Sequence, residues 1–513
     1  MTLPKIVDRW ISDDLPNLPH LRIWEPDTNG EALPEHSPRA SGNLKIRYFC
    51  DAHGALFPHE KDSSSLFEFL KAKNDADPET SLLLGGGDDH GGGSPWDVFM
   101  AEKPARSFAY RLLEEVGISA FTLGNHDLDW GIDALVSALS DSQLRPIVTN
   151  ARSGSPIEKV TVPARIFEFE NCRLGVLGLA NLANVIDGED FLTDPLSAAK
   201  PWLSWMQGKV DCIVVISHMG NLQETSSDDL ALLPELSPNT LLLGSHTHQL
   251  IPEVSDEWRQ SNYLQSGLLA KNYGEAFWSS DKGWFVKNQT FAPQTKQGPS
   301  RARPRFEKEL SNILDTRGKR SIAAQPNPQV DQSIPQDEIL DWASEQYANW
   351  ARVNADESET PLMACLCSRF KSKESLPPSA SIKDWYRVFQ YADRMVNFTI
   401  PWKHVPEWLA FNADRLAQAE LNPKKDGFLF YDPNWQISYR TEGSKVGIAS
   451  IEYQGMPFEP HQYQVLKIHT HAFVASGAGG YGPYIKKSRA AAESLQINPT
   501  SLREFLWESS DPD

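Results

Sequence analysis

The stretch "LLLGSHTHQL" (241–250) decides how this chain is read: three leucines and a glycine run into two histidines, His246 and His248, one residue apart. An apolar run of this length reads as a buried strand, and strand side chains alternate, so both imidazoles leave its end on one side. Taken alone, such a pair is also what chance produces. Read functionally, the two rings are metal ligands, and that reading requires carboxylates or further imidazoles from elsewhere in the chain.

The other apolar runs supply them. "LKIRYFC" (44–50) is followed by Asp51 and His53, and "SLLLGGG" (81–87) by Asp88. "AFTLGN" (120–125) ends in Asn125 and leads into His126 and Asp129, while "DCIVVIS" (211–217) is followed by His218. Loops beyond the carboxyl ends of strands are where open α/β folds build their sites. Five such runs in one domain, each ending in a possible ligand, leave chance a poor explanation. Imidazole mixed with carboxylate and amide oxygen suits Mn, Fe, Co or Zn rather than calcium or an iron–sulfur cluster. Seven donors exceed what one ion with an open position needs, and suit two ions sharing a carboxylate.

Between several of these runs lie stretches with helical spacing, such as "SSLFEFLKAK" (64–73), "RSFAYRLLEEVG" (106–117) and "IDALVSALS" (132–140). "RPIVTNA" (145–151) reads as a further strand and "IFEFENCRLGVLGL" (166–179) as a hairpin. The alternation implies layered α/β packing over 44–290, preceded by an N-terminal extension, 1–43. Apolar periodicity stops at "FAPQTKQGPSRARPRF", so 291–336 reads as a linker containing one helix, "RFEKELSNILDTRGKR" (305–320). A second domain, 337–513, opens on a helix at "DEILDWASEQYANWARV" and returns to strand and turn signals.

At 513 residues the chain exceeds one ordinary core, and its 40% hydrophobic and 23% charged content is that of a globular protein. A net charge of −19 argues against a nucleic-acid polymer as partner, although a metal site can still bind a phosphorylated small molecule. No run reaches the length of a membrane span, and the first residues lack the pattern of an export signal, so the expectation is a cytoplasmic protein with no membrane partner. Five cysteines without a framework spacing fit a reducing compartment, and Cys365 and Cys367 read as packed thiols.

In this order the motifs "DAH", "GGD", "GNHDLD", "SHMG" and "GSHTH" resemble those of the calcineurin-like metallophosphoesterases. More narrowly, "TLGNHDLDWG" and "HAFVASGAGGY" resemble the two-domain 5′-nucleotidase family, which includes UDP-sugar hydrolases and 2′,3′-cyclic-nucleotide phosphodiesterase/3′-nucleotidases. The resemblance runs from about residue 44 over nearly the whole chain. It implies a layered αββα catalytic domain, a linker and a C-terminal α+β substrate domain. It also implies that Asp51, His53 and His248 hold one divalent ion, that Asn125, His218 and His246 hold the other, and that Asp88 bridges them. Manganese is the first expectation for both ions, with Zn, Fe or Co as alternatives. Such a pair activates a shared water for attack on phosphorus and clamps the phosphoryl oxygens. By the same resemblance His126 is the catalytic histidine and Asp129 its orienting partner.

The family's C-terminal domain sandwiches a nucleotide base between two aromatics, which the resemblance maps to Tyr391 and Phe473, with Arg369 as a remnant of a substrate-binding arginine. Three departures stand out. The last metal motif reads Gly-Ser-His, Gly479 stands where the family often has a ribose-binding Asp, and "ACLCSRF" replaces the expected Asn-Gly-Gly-Gly-Ile-Arg element. The expected function is hydrolysis of a nucleotide or related small phosphoester. Alternatives are a thiosulfohydrolase-like sulfur-ester hydrolase, a hydrolase of non-nucleotide phosphoesters and a catalytically silent binding protein. "GGGDDHGGGS" (85–94) lacks the ending of a nucleotide-binding loop, so Asp89 and His90 read as loop residues, and "HTHAF" (469–473) reads as ordinary strand.

Overall fold

The computed structural model describes residues 9–14, 21–27, 30–37, 42–55, 66–76, 81–89, 106–115, 117–140, 142, 144–181, 191–221, 227–291, 308, 339–353, 361–368, 375, 388–389, 393–421, 429–442, 445–459, 463–475, 481–483 and 496–501. The chain forms two compact units, one of Met1–Ala183 with Asp187–Ser311 and the other of Asn184–Ile186 with Asn312–Asp513. Among the described residues no helix is long and apolar enough to cross a membrane.

The strands of the first unit are β1 (Arg9–Asp14), β2 (Arg22–Pro26), β3 (Glu31–Ala32), β4 (Asn43–Phe49), β5 (Ser81–Gly85), β6 (Ala120–Phe121), β7 (Ala164–Glu168), β8 (Arg173–Leu179), β9 (Cys212–Ser217) and β10 (Thr240–Gly244). They are followed by β11 (Leu250–Ile251), β12 (Arg259–Gln260), β13 (Tyr263–Ser266), β14 (Asn272–Ser279) and β15 (Gly283–Thr290). One sheet has nine strands in the order β11-β13-β10-β9-β8-β7-β2-β1-β3, and the other has six in the order β12-β15-β14-β4-β5-β6. In the first, β8, β9, β10 and β13 run parallel; in the second, β4, β5 and β6 do.

Strands β8, β9 and β10 are buried along their whole length, which explains their unbroken apolar runs. One set of their side chains, Leu174, Val176, Val214, Ile216, Leu241 and Leu243, packs between the sheets against Ile46, Tyr48, Leu82, Leu84, Trp278 and Val286. The other set meets a helix, Pro195–Met206, through Ala199, Trp202, Leu203 and Met206. That helix starts where Asp194 caps the Ser197 amide at 2.8 Å and Pro195 occupies the first turn. Beside the six-stranded sheet lie the helices Leu66–Ala76, Arg106–Glu115 and Ile132–Ser140, with Tyr110 stacked on Phe121. Burying each large aliphatic side chain contributes roughly 1.5–3 kcal/mol, so the inter-sheet layer is the main stabilising element of this unit.

Two readings change. The segment 1–43, expected as an extension, contributes β1, β2 and β3 to the nine-stranded sheet, with β2 paired to β7. "RPIVTNA" (145–151) is not a strand but an extended path with isolated bridges, Ile147 to Val162 and Ala151 to Leu192. Its apolar residues Ile147 and Val148 are nonetheless buried, which is why the run looks like a strand. The expected helix at 305–320 lies outside the described residues apart from Lys308.

The second unit holds a five-stranded sheet of β16 (Leu362–Cys367), β17 (Arg394–Pro401), β18 (Leu429–Tyr431), β22 (Val465–His471) and β23 (Gln496–Ser501), in the order β18-β16-β22-β17-β23. A separate three-stranded sheet comprises β19 (Trp435–Glu442), β20 (Lys445–Tyr453) and β21 (Met456–Pro457). The helix Val405–Leu421 buries Trp408 and Leu409 against Val396, Phe398, Leu466 and Ile468. The helix Ile339–Val353 is fastened to the larger sheet by the Tyr347 hydroxyl, which donates to the Thr470 carbonyl at 3.1 Å. All five cysteines are buried free thiols.

Candidate metal centre

The loops that follow β4, β5, β6, β9 and β10 converge. Ligand atoms of Asp51, His53 and His248 lie within 4.8 Å of one another, as do those of Asp88, His218 and His246, and those of His53, Asp88 and His126. Asp88 groups with His218 and His246 and also with His53 and His126, so it lies between His218 and His246 on one side and His53 of the first group on the other. The six ligands expected from Asp and His are thus brought together. Asn125 lies in the same loop as His126, and its side-chain oxygen is buried without a hydrogen-bond partner.

The backbone is bent to aim these side chains. Asp51, His53, Asp88, His246 and His248 all have positive φ, between 43° and 71°. Outside glycine that conformation is costly, about 1–3 kcal/mol each, and it persists where the surroundings over-determine it at functional sites. Part of that determination is visible: the His246 amide donates to both Asp51 oxygens at 3.1 Å, and the His126 amide donates to Asp88 Oδ1 at 2.7 Å. The glycine of "GNHD" is also required, because a Cβ at Gly124 would stand 2.1 Å from Asp88 Oδ1 and 2.6 Å from His218 Cε1.

The electrostatics match the donor set. Burial, with neighbouring imidazoles, lowers His53 and His246 to about 3, and burial lowers His248 as well. Those rings are therefore neutral at pH 7, the form that ligates a cation. Burial pushes Asp51 up to about 7, with nearby Asp88 adding to the rise against the opposing pull of His218. Burial also disfavours charge on Asp88, but the adjacent His218 and His126 outweigh it and hold Asp88 well below the carboxylate range. His218 Nε2 lies 3.0 Å from Asp88 Oδ2. Nε2 of His53 and Nε2 of His248 are 3.2 Å apart. Two nitrogens on one ion at about 2.0–2.1 Å in a tetrahedral arrangement stand roughly 3.4 Å apart, so the spacing fits shared ligation. Burial works against charge on His218, but Asp88 and Asp51 push it up to about 9, so a cation there would replace its proton. Three neutral imidazoles, those of His53, His246 and His248, with His218, two buried carboxylates and an orphaned amide oxygen fit a divalent-metal centre.

His126 sits on the rim. Its ring meets His53 edge-on at 5.2 Å, and its Nδ1 is 2.9 Å from Asp129 Oδ2. Asp127, which the sequence reading passed over, is a buried anchor: it accepts from the Gly124 amide at 2.8 Å, the Asp88 amide at 3.3 Å and the Tyr110 hydroxyl at 2.9 Å. Its only sequence signal is an acidic residue inside a one-turn 3-10 segment, His126–Leu128, directly after a ligand. Asp89 belongs to none of the triads, in keeping with its reading as a loop residue, and His90 lies outside the described residues.

In the second unit Phe473 is half-buried on the one-turn helix Ala472–Ala475, its ring nearly parallel to His471 at 6.3 Å. The rest of "HTHAF" is built in: His471 Nδ1 lies 2.6 Å from Asp393 and its Nε2 accepts from the Cys367 amide at 2.9 Å. Tyr391, Arg369 and Gly479 lie outside the described residues.

No family model matches the chain. A 5′-nucleotidase of Vibrio cholerae is 25% identical over 228 residues, 40% of this chain and 40% of that protein. A 2′,3′-cyclic-nucleotide 2′-phosphodiesterase/3′-nucleotidase of Yersinia enterocolitica is 22% identical over 440 residues, 72% of this chain and 66% of that protein. The match therefore spans about two fifths of the length of the Vibrio relative and about two thirds of the Yersinia one. Among solved structures, a Staphylococcus aureus protein assigned as a 5′-nucleotidase superposes with a TM-score of 0.70 at 16% identity, covering 92% of this chain and 97% of that one. The layered fold with candidate ligands at its strand ends is the fold of that solved structure. In sequence the chain is similar to 5′-nucleotidases and to a 2′,3′-cyclic-nucleotide phosphodiesterase/3′-nucleotidase, and in fold to the Staphylococcus aureus protein.

Proposed function

We propose that the protein hydrolyses a small phosphoester, a nucleotide first among them, at a centre of two divalent cations, manganese foremost. The observation that carries this reading is the convergence of strand-end loops that group Asp51 with His53 and His248, and Asp88 both with His218 and His246 and with His53. Asp51, His53 and His248 would hold one ion and Asn125, His218 and His246 the other, with Asp88 between them. Bound there, such cations supply Lewis acidity to the phosphoryl group and to the attacking water. They also reverse the local sign of a chain whose net charge is −19, which an anionic substrate requires.

The chain's own residues do the rest. Asp129 at Nδ1 of His126 fixes the ring's orientation, so that Nε2 can stabilise charge on a phosphoryl oxygen or pass a proton to the leaving oxygen. His126 directly follows Asn125 at the start of one short 3-10 turn, so a single loop places both. Nucleotides are favoured as substrates by the activities named for the Vibrio and Yersinia relatives.

The test is product analysis with Mn-loaded protein given 5′-AMP, 3′-AMP, 2′,3′-cyclic AMP and a UDP-sugar in parallel. Release of phosphate or opening of the cyclic ester from at least one is expected. Two bound metals with no turnover of any phosphoester would overturn the reading.

A further inference from the structure

We propose that Ser245 is a positioning residue that fixes the tautomer of His218 and thereby the strength of one of the two metal positions; the inference rests on the metal-centre reading above. It starts from the departure in the last motif, where a serine stands directly before the first histidine of His-x-His. That serine is fully buried, and its Oγ lies 2.9 Å from His218 Nδ1, 2.8 Å from the Gly86 carbonyl and 2.7 Å from the Ser217 carbonyl.

A hydroxyl has one proton and can also accept. Two of its three neighbours are carbonyl oxygens, which only accept, so the Ser245 proton belongs to one of them, Ser217 being the nearer. Its lone pair then faces His218 Nδ1, which also lies 2.8 Å from the Gly86 carbonyl. Surrounded by acceptors, Nδ1 must carry the proton. Nε2, which faces the Asp88 carboxylate at 3.0 Å, is then the nitrogen whose proton a cation would replace.

The same contacts join three ligand loops, those bearing Asp88, His218 and His246, within one dry pocket. Gly86 is needed for this closure, because a Cβ there would lie 2.3 Å from the Tyr48 hydroxyl, 2.6 Å from Cys50 Cβ and 3.1 Å from Ser245 Cβ. A hydrogen-bond partner on the far nitrogen of a ligating imidazole typically controls about 10–100-fold in metal affinity.

The experiment is a Mn2+ titration of wild type, Ser245→Ala and Ser245→Thr, following binding stoichiometry and affinity, together with neutron diffraction of the wild-type protein. In Ser245→Ala, one of two equivalents is expected to weaken by about 10–100-fold while the other stays in place, and Ser245→Thr is expected to restore it. The neutron map is expected to show deuterium on His218 Nδ1, with the Ser245 hydroxyl turned towards a carbonyl. A folded Ser245→Ala that binds both equivalents with wild-type affinity overturns the proposal. So does a Ser245 deuterium pointing at a bare Nδ1, an outcome that does not depend on whether a variant folds. Wild-type protein that binds no Mn2+ would instead defeat the metal-centre reading itself.

Discussion

His53 and His248, 195 positions apart in the chain, bring their Nε2 atoms to within 3.2 Å of each other. Both imidazoles are held neutral, chiefly by burial, and both residues adopt positive φ to make the approach. A shared cation explains why the fold sustains two such conformations for one contact. Removing either ring should therefore weaken one metal position. His53→Ala is expected to bind one equivalent of Mn2+ tightly and the second poorly, read by titration with metal analysis. Two unchanged equivalents would contradict the assignment.

Asp88 groups with His218 and His246 and also with His53, a member of the other proposed position, so its loss should be felt at both. Asp88→Ala is expected to abolish occupancy of both positions under conditions where wild type retains two ions, measured by metal analysis after gel filtration. Retention of one tight ion would limit Asp88 to a single position.

In the proposed mechanism His126 serves the chemistry rather than the ion binding. His126→Ala should keep both metals and lose about 10²–10⁴-fold in kcat, the range of a positioned acid–base group. Asp129→Asn should fall between that variant and wild type. Full activity in His126→Ala would remove it from the mechanism.

Tyr110 supports the site through Asp127, whose carboxylate its hydroxyl meets at 2.9 Å. Tyr110→Phe deletes one hydrogen bond without opening a cavity, so a stability loss of about 0.5–1.5 kcal/mol is expected, with metal stoichiometry intact. Denaturant titration alongside metal analysis checks both parts.

Asp229 lies behind the ligand loops, accepting from the Ser217 hydroxyl at 2.5 Å and the Tyr263 hydroxyl at 3.0 Å. Burial pushes its carboxyl up to about 7, against these hydrogen bonds. Below about pH 4 both folded and unfolded states hold the proton. Between about pH 4 and 7 the unfolded state releases it first, so this group's contribution to stability is lost as pH rises, by about 4 kcal/mol at most. Asp229→Asn should remove that slope, so its stability relative to wild type should climb from pH 4 to 7 and then level off. Parallel curves in denaturant titrations across that range would contradict the shift.

The convergence of the candidate ligands was legible because buried parallel strands leave unbroken apolar runs whose ends are easy to find, and Asp51, Asp88, His218 and His246 stand at those ends. Asp127 was not, since its value lies in three hydrogen bonds that only the folded turn creates. The strands β1 to β3 escaped for the opposite reason. They pair antiparallel at the sheet edge and include stretches such as "RWISDD", where polar residues break the apolar run. The path through Ile147 and Val148 misled because burial in the core, rather than membership of a sheet, made it apolar.

The most direct test of the two-ion centre is anomalous diffraction at the manganese edge from crystals grown with Mn2+. Two peaks are predicted, one among Asp51, His53 and His248 and the other among Asn125, His218 and His246, with Asp88 reaching both. A single peak, or peaks away from these residues, would contradict the account.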